Sequence, residues 1–139
     1  MRMDRKQARE SIERARVGRL ATADARARPH IVPVTFAVDG DTVVTAVDHK
    51  PKATTELKRL RNIRENPRVT LLVDHYEDDW SRLWWSRADG EATLADTTER
   101  ADLLDKLAAK YRQYRQQPPA GTLIVIGMHR WSGWSSSET

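Results

Sequence analysis

Two Asp-Gly pairs, Asp39-Gly40 and Asp89-Gly90, each lie between short apolar runs, and this pattern constrains the fold more than any other feature. An Asp-Gly pair in that position is typical of a tight β-hairpin turn. Runs of aliphatic and β-branched residues predict strands at residues 19–23, 29–38, 42–47, 69–75, 80–87, 91–95 and 122–129. Six or seven strands joined mainly by hairpins favour an antiparallel barrel over alternating strands and helices.

Three segments have the spacing of amphipathic helices and would lie at the ends of such a barrel. We place these helices at residues 4–16, 54–66 and 96–114. The predicted N-caps are Asp4 for the first, Thr54 or Thr55 for the second, and Asp96 or Thr97 for the third. The 139 residues form one domain, 1–139, because a chain of this length holds a single core. Its end, residues 131–139, reads as a polar tail.

Pro33 lies inside the second predicted strand. Proline donates no hydrogen bond to a neighbouring strand, so we expect Pro33 at a sheet edge or a bulge.

Composition excludes several classes of function. The chain has no Cys and only four scattered His, which excludes thiolate nucleophiles and makes a metal centre improbable. No Ser lies in a G-x-S-x-G turn, and neither a P-loop nor a G-x-G-x-x-G motif is present. No apolar run approaches a membrane span or the apolar part of a signal peptide, so we expect a cytoplasmic protein with no membrane partner.

Positive charge is concentrated in one segment. Residues 50–68 contain seven basic and two acidic side chains, whereas the whole chain has a net charge of +4. The rest of the chain is therefore close to neutral, and the expected partner of this segment is a local anion. Lys50, Lys52 and Thr54 precede or begin a predicted helix, whose free N–H groups would help them to hold a phosphate. The alternative is a solvated basic face.

Trp80, Trp84 and Trp85 fall within six residues, and two more Trp lie near the end of the chain. So much aromatic surface needs either a flat ligand or a partner, and a homodimer interface is the preferred interpretation. His75 and Asp79 in the adjacent loop are weaker candidates for acid–base chemistry.

Several segments together resemble the pyridoxamine-phosphate-oxidase-like split-barrel superfamily. They are G-R-L-A-T at 18–22, P-H-I-V-P-V-T-F at 29–36, the run from K-P-K to V-D-H-Y at 50–76, and D-D-W-S-R-L-W-W-S-R-A-D-G at 78–90. More narrowly, the segments resemble the actinobacterial branch of coenzyme F420-dependent enzymes, and the part most specific to that branch is V-D-H-Y at 73–76 followed by D-D-W-S-R-L-W-W at 78–85. The turn before Pro29 reads Arg26-Ala27 where relatives carry Asp-Gly, so this turn is expected to differ.

The resemblance implies a mainly β fold: a six-stranded antiparallel split β-barrel of the FMN-binding type, homodimeric, with a flavin-type cofactor at the subunit boundary. It implies an F420-dependent oxidoreductase that transfers a hydride to a small unsaturated or conjugated acceptor. Carried over to this sequence, the cofactor-binding residues are Val32, Pro33, Val34 and Thr35 near the ring, and Lys52, Thr54 and Lys58 near the phosphate. Residues 53–55 read Ala-Thr-Thr where relatives often carry another basic residue, so weaker phosphate binding or a shift to Lys50 and Arg61 is expected. No catalytic side chain and no metal are implied.

Three alternatives remain. An FMN-binding enzyme like pyridoxamine phosphate oxidase would keep the fold, although the chain lacks the fuller Arg and Lys set of those enzymes. A non-catalytic cofactor carrier would bind without turnover. A nucleic-acid-binding module would use the basic segment 50–68, but no nucleic acid is the preferred expectation.

Overall fold

The computed structural model describes residues 1–47 and 57–137. These form one seven-stranded antiparallel sheet with helices packed on it. The strands are β1 (Gly18–Ala23), β2 (Pro29–Val34), β3 (Ala37–Asp39), β4 (Thr42–Ala46), β5 (Arg68–His75), β6 (Trp84–Asp96) and β7 (Thr122–Ser135). The helices are α1 (Arg5–Arg14), α2 (Lys58–Glu65), α3 (Ala101–Lys110) and α4 (Arg112–Gln116), with a 3-10 turn at Trp80–Arg82.

The strand order is β2-β1-β5-β6-β7-β4-β3. The edge strands β2 and β3 are separated by only two residues of chain, so the sheet must curl until its edges approach each other. The mainly β, antiparallel prediction is confirmed, but the count of six strands is wrong. Within the described residues the sheet has seven strands and is not closed by hydrogen bonds between β2 and β3.

Helix α1 confirms the first helix prediction. The Asp4 side chain accepts a hydrogen bond from the Gln7 N–H, and the Gln7 side chain accepts one from the Asp4 N–H. This reciprocal pair satisfies two N–H groups that the helix leaves free. Ala8 and Ile12 on the inner face are fully buried against the sheet.

Two local predictions about the strands are confirmed. Gly40 has a φ of 62° in the two-residue turn between β3 and β4, a conformation that glycine adopts without strain. Pro33 lies on β2, an edge strand that pairs with β1 alone, as its missing N–H predicts.

The second Asp-Gly pair is not a turn. Strand β6 runs straight through Asp89 and Gly90, pairing with β5 on one side and β7 on the other. The register with β7 shifts at this point: Asp89 pairs with Arg130 and Gly90 with Met128, so His129 is the extra residue of a β-bulge on β7. A Cβ on Gly90 would clash with the Gly127 carbonyl oxygen, and the glycine is therefore required by the close approach of β7.

The predicted polar tail is also wrong over most of its length, because β7 continues to Ser135. Trp131 is buried in the core, and its indole N–H donates to Asp41 Oδ1 at 3.0 Å. A long-range partner thus converts a polar-looking segment into strand.

The other two helices begin later than predicted. Leu57 is the N-cap of α2 and provides no side-chain cap, while Thr54 and Thr55 lie outside the described residues. Asp96 ends β6 instead of starting a helix. The third helix divides at Tyr111, whose backbone is extended between α3 and α4.

The core consists of two clusters. The main cluster lies between the sheet and helices α1 and α2, and its largest fully buried side chains are Phe36, Ile12, Leu20, Leu71, Ile124 and Ile126. The helical cluster joins α3 to β3, β4 and β7 through Leu103, Leu107, Tyr111, Leu123 and Val125. Among the described helices, none is both long and apolar enough to span a membrane.

Candidate functional site: a basic groove beside an edge strand

Three of the residues predicted to lie near a cofactor ring belong to β2. Val34 is buried, Val32 is half-buried against the main cluster, and Pro33 is exposed on the opposite face. In the described chain β2 pairs only with β1, so the N–H and C=O groups on its other edge pair with no strand. A ligand could use that edge.

Thr35, the fourth of these residues, lies just after β2. Its hydroxyl is 2.8 Å from the Tyr114 hydroxyl, and its carbonyl accepts from Thr45 Oγ1 at 2.6 Å. The Thr35 hydroxyl is therefore engaged by α4 and is not directed at an open edge.

The turn between β1 and β2 is organised by Asp24, whose side chain is 5% exposed. Its Oδ1 accepts from the N–H groups of Arg26 (2.9 Å) and Arg28 (3.0 Å), and its Oδ2 accepts from Arg28 Nε at 2.7 Å. These bonds, led by the one from the Arg28 backbone, lower the pKa of Asp24 to about 2. Asp24 is ionised at neutral pH and fixes the Arg28 side chain.

The tip of this turn is strained. Ala27 has a φ of 60°, where a Cβ costs about 1–2 kcal/mol. The hydrogen bonds that Asp24 accepts from the N–H groups of Arg26 and Arg28 hold the turn in this conformation.

Helix α2 is fastened to the neighbouring strand by a buried polar contact. Asn62 Nδ2 donates to Thr22 Oγ1 at 3.0 Å, and both residues are buried. This contact orients the helix so that Lys58 and Arg61 remain exposed on the side facing the Asp24 turn.

The space between α2 and this turn is an open groove of about 520 Å³, which we call the basic groove. It is lined by Asp24, Arg28, Lys58, Arg61, Asn62, Arg64 and Glu65. Four cations face two carboxylates, one of which is neutralised by Arg28. In the part of the chain that the structure describes, the side chains of Lys58 and Arg61 have no hydrogen-bond or ion-pair partner.

The structure brings together only part of the predicted site. Lys58 and Arg61 meet in the basic groove, and the groove adjoins the start of β2. The distance from Arg28 to Val32 along the strand is about 13 Å at 3.3 Å per residue. Lys50, Lys52 and Thr54 lie outside the described residues.

Sequence reasoning missed Arg28 and Asp24. The available signal was an aspartate four residues before an arginine across a predicted turn, a spacing at which Asp side chains often bond to the turn backbone. Without the position of α2, nothing indicated that this turn lines a groove.

The polar side chains of the loop after β5 contact one another and the loop backbone. Asp79 accepts from the N–H of Ser81 at 3.1 Å and from its Oγ at 2.6 Å, which caps the 3-10 turn and lowers the pKa of Asp79. His75 Nε2 contacts Glu77 Oε2. Across residues 1–47 and 57–137, no group of three or more His, Asp or Glu is placed to hold a metal ion.

Comparison with known proteins agrees with the fold. The family model of pyridoxamine 5'-phosphate oxidase matches residues 4–135. The chain belongs to this family. None of the curated protein sequences matches it.

Several solved structures resemble this one at low sequence identity. A conserved hypothetical protein from Mycobacterium tuberculosis has a TM-score of 0.75 and 18% identity, with 96% of this chain and 86% of that chain covered. The heme storage protein of Vibrio cholerae has values of 0.70 and 16%, covering 97% and 95%. A FAD-binding protein from Mesorhizobium loti has values of 0.64 and 17%, covering 96% and 95%. At these identities the likeness concerns the fold alone.

Proposed function

We propose that this member of the pyridoxamine 5'-phosphate oxidase family is a flavin-type oxidoreductase whose cofactor is the deazaflavin F420, with FMN as the alternative. The observation that carries this proposal is the basic groove, in which Lys58 and Arg61 lack partners within the described residues beside edge strand β2. The sequence segments 50–76 and 78–90, which resemble the F420-dependent branch, favour the deazaflavin.

The residues present fit the anionic part of such a cofactor. Lys58 and Arg61 would hold its phosphate, and Arg28, fixed by Asp24, would add a cation whose direction is already set. The edge of β2 would support the ring through backbone contacts. A bound flavin or deazaflavin supplies hydride transfer, and the chain's part is to bind, orient and exclude water.

Binding experiments test the phosphate assignment. F420 and FMN should bind more tightly than riboflavin, which has no phosphate, in a fluorescence titration. Lys58→Ala and Arg61→Ala should each raise the Kd for F420 by roughly tenfold or more, since a charge-assisted hydrogen bond is lost. Both should leave riboflavin unchanged. Arg112→Ala, an exposed position on α4, is the matched control. Wild-type affinity for F420 in both groove variants would refute the assignment.

Turnover is tested separately. The oxidation of reduced F420 is followed at its visible absorbance against a panel of quinones, enones and tetrapyrroles. Tight F420 binding without oxidation by any acceptor would favour the carrier alternative. Preference for FMN over F420 in both binding and turnover would favour the alternative in which the protein is an FMN-dependent enzyme.

We also propose a homodimer. Trp131 is buried within its own subunit and Trp84 packs against the main cluster, so these two do not require a partner. The supporting observation is instead the outer face of β2, β1 and β5, where Ile31 is 61% exposed. Its register partner there is Ala21, and on the same face Arg19 lies between Pro33 and Leu72. Sedimentation should give a dimer that Ile31→Lys dissociates and Ala109→Lys, an exposed position on α3, does not. A wild-type mass of about one chain would refute the dimer.

A further inference from the structure

The outer face of the sheet has a second depression, at the end where β6 and β7 pair. We call it the tryptophan trough. Its volume is about 760 Å³, and its chemically distinctive lining residues are Arg2, Tyr76, Trp85, Arg87, Arg130 and Trp134. The basic groove, by contrast, has no aromatic lining residue.

The two indoles of the trough come from directly opposed positions. Trp85 of β6 is the register partner of Trp134 of β7, so their side chains leave the sheet next to each other. They do not stack on each other within the described chain, where the aromatic ring pair is Tyr111 with Tyr114. Trp134 is 36% exposed and Tyr76 is 63% exposed. Their rings are therefore available to a flat molecule.

The charged side chains that line the trough are all basic. The Arg87 guanidinium lies 5.4 Å from the centre of the Trp85 ring. Arg2 and Arg130 form no ion pair with any described residue, and no carboxylate lines the trough. Arg87 Nε forms an ion pair with Asp89 Oδ2 at 3.6 Å, and Asp89 does not line the trough. The trough thus presents Arg2 and Arg130, which have no ion-pair partner among the described residues, beside aromatic rings.

Two polar atoms in the wall lack a hydrogen-bond partner. Ser132 Oγ is buried and forms no hydrogen bond, and Arg87 Nε is buried with only the long ion pair to Asp89 at 3.6 Å. The two residues are register partners on β6 and β7. Buried polar groups are normally paired, and an unpaired one costs free energy. A ligand oxygen seated between the strands would satisfy them.

We propose that the tryptophan trough binds a small planar aromatic carboxylate. The ring stacks on Trp85 or Trp134, and the carboxylate pairs with Arg87 and Arg130. A neutral aromatic molecule would leave the cations unpaired, and an aliphatic acid would leave the indoles uncovered. This site does not depend on the proposed redox function, because it shares no residue with the basic groove.

The test uses naphthalene-2-carboxylate as the probe, with 2-naphthamide as its neutral counterpart and cyclohexanecarboxylate as its non-aromatic one. Quenching of tryptophan fluorescence and calorimetry report binding. For a ligand of this size we expect a Kd of about 0.1–1 mM. The two counterparts should bind roughly tenfold more weakly, and the Kd should rise with salt.

Variants locate the site. Arg130→Gln replaces an exposed side chain. This variant and Trp134→Leu should each weaken binding of the naphthalene-2-carboxylate probe by roughly tenfold. The matched controls are Arg112→Gln and Trp80→Leu, where Trp80 is 77% exposed and lies outside the trough. Thermal melts establish that each variant is folded.

Equal affinity for naphthamide and the carboxylate would overturn the proposal, as would wild-type binding by both trough variants. A second copy of the chain is the competing occupant. It would be indicated by absent probe binding together with a change in sedimentation in Trp134→Leu but not in Trp80→Leu, and that result would also overturn the proposal.

Discussion

Replacing Gly90 with alanine tests the bulge that joins β6 to β7. The new Cβ would overlap the Gly127 carbonyl oxygen and would lie 2.9 Å from both the Gly127 carbonyl carbon and the Met128 Cα. All three atoms are backbone, so no side-chain rotation relieves the contact. The two longest strands of the sheet would have to separate locally.

The expected cost is at the upper end of that for overpacking a core, about 3 kcal/mol. In a chain of this length that loss lowers the Tm by about 10 °C. Gly127→Ala is a matched control on the facing strand, because a Cβ there meets nothing within 4 Å. The control should change stability by less than about 1 kcal/mol and should if anything stabilise, since alanine restricts the unfolded chain.

Urea unfolding of both variants, followed by circular dichroism, measures the difference. If Gly90→Ala is as stable as Gly127→Ala, the strands tolerate a side chain at the bulge, and close approach does not explain the glycine. If both lose about 3 kcal/mol, the effect belongs to strand glycines in general.

Three further outcomes are expected. Asp24→Asn should lower the Tm at pH 7. Because the folded pKa of Asp24 is about 2, its stabilisation is lost as pH falls from about 4 to about 2, and the Tm gap to wild type should close over that range. Burial lowers the pKa of Lys110 to about 8, with Arg16 adding to the effect. Charged Lys110 therefore opposes folding below pH 8, and Lys110→Met should raise the Tm at pH 7 and lose that advantage towards pH 10.5. Tyr111→Phe should cost about 2 kcal/mol in urea unfolding, because the buried Phe36 N–H loses its acceptor, the Tyr111 hydroxyl at 3.1 Å.

Features fixed by neighbouring residues could be predicted from the sequence. The Asp4 cap bonds to a residue three positions away, and the Asp39-Gly40 turn closes a hairpin of adjacent strands. Pro33 excludes an inner strand by its own chemistry, whatever its surroundings. In each case the deciding interaction is local.

Features decided by distant partners could not be predicted. Asp89-Gly90 carries the same local signal as Asp39-Gly40, yet β5 on one side and β7 on the other hold it extended. The segment after His129 reads as polar, but it pairs with the start of β6. For the candidate site, the chemistry of Lys58 and Arg61 was visible, whereas their approach to Arg28 depends on how α2 docks onto β1 through Asn62.

Strand β7 contributes side chains to both core clusters, so it couples the unfolding of one to that of the other. Its residues alternate between them, with Ile124 and Ile126 in the main cluster and Leu123 and Val125 in the helical cluster. Opening β7 at any of these positions exposes apolar surface on both sides of the sheet at once, so neither half can melt while the other stays intact. The amide protons of β7 should exchange with solvent only through global unfolding, and those of α4 and the Asp24 turn should exchange much earlier.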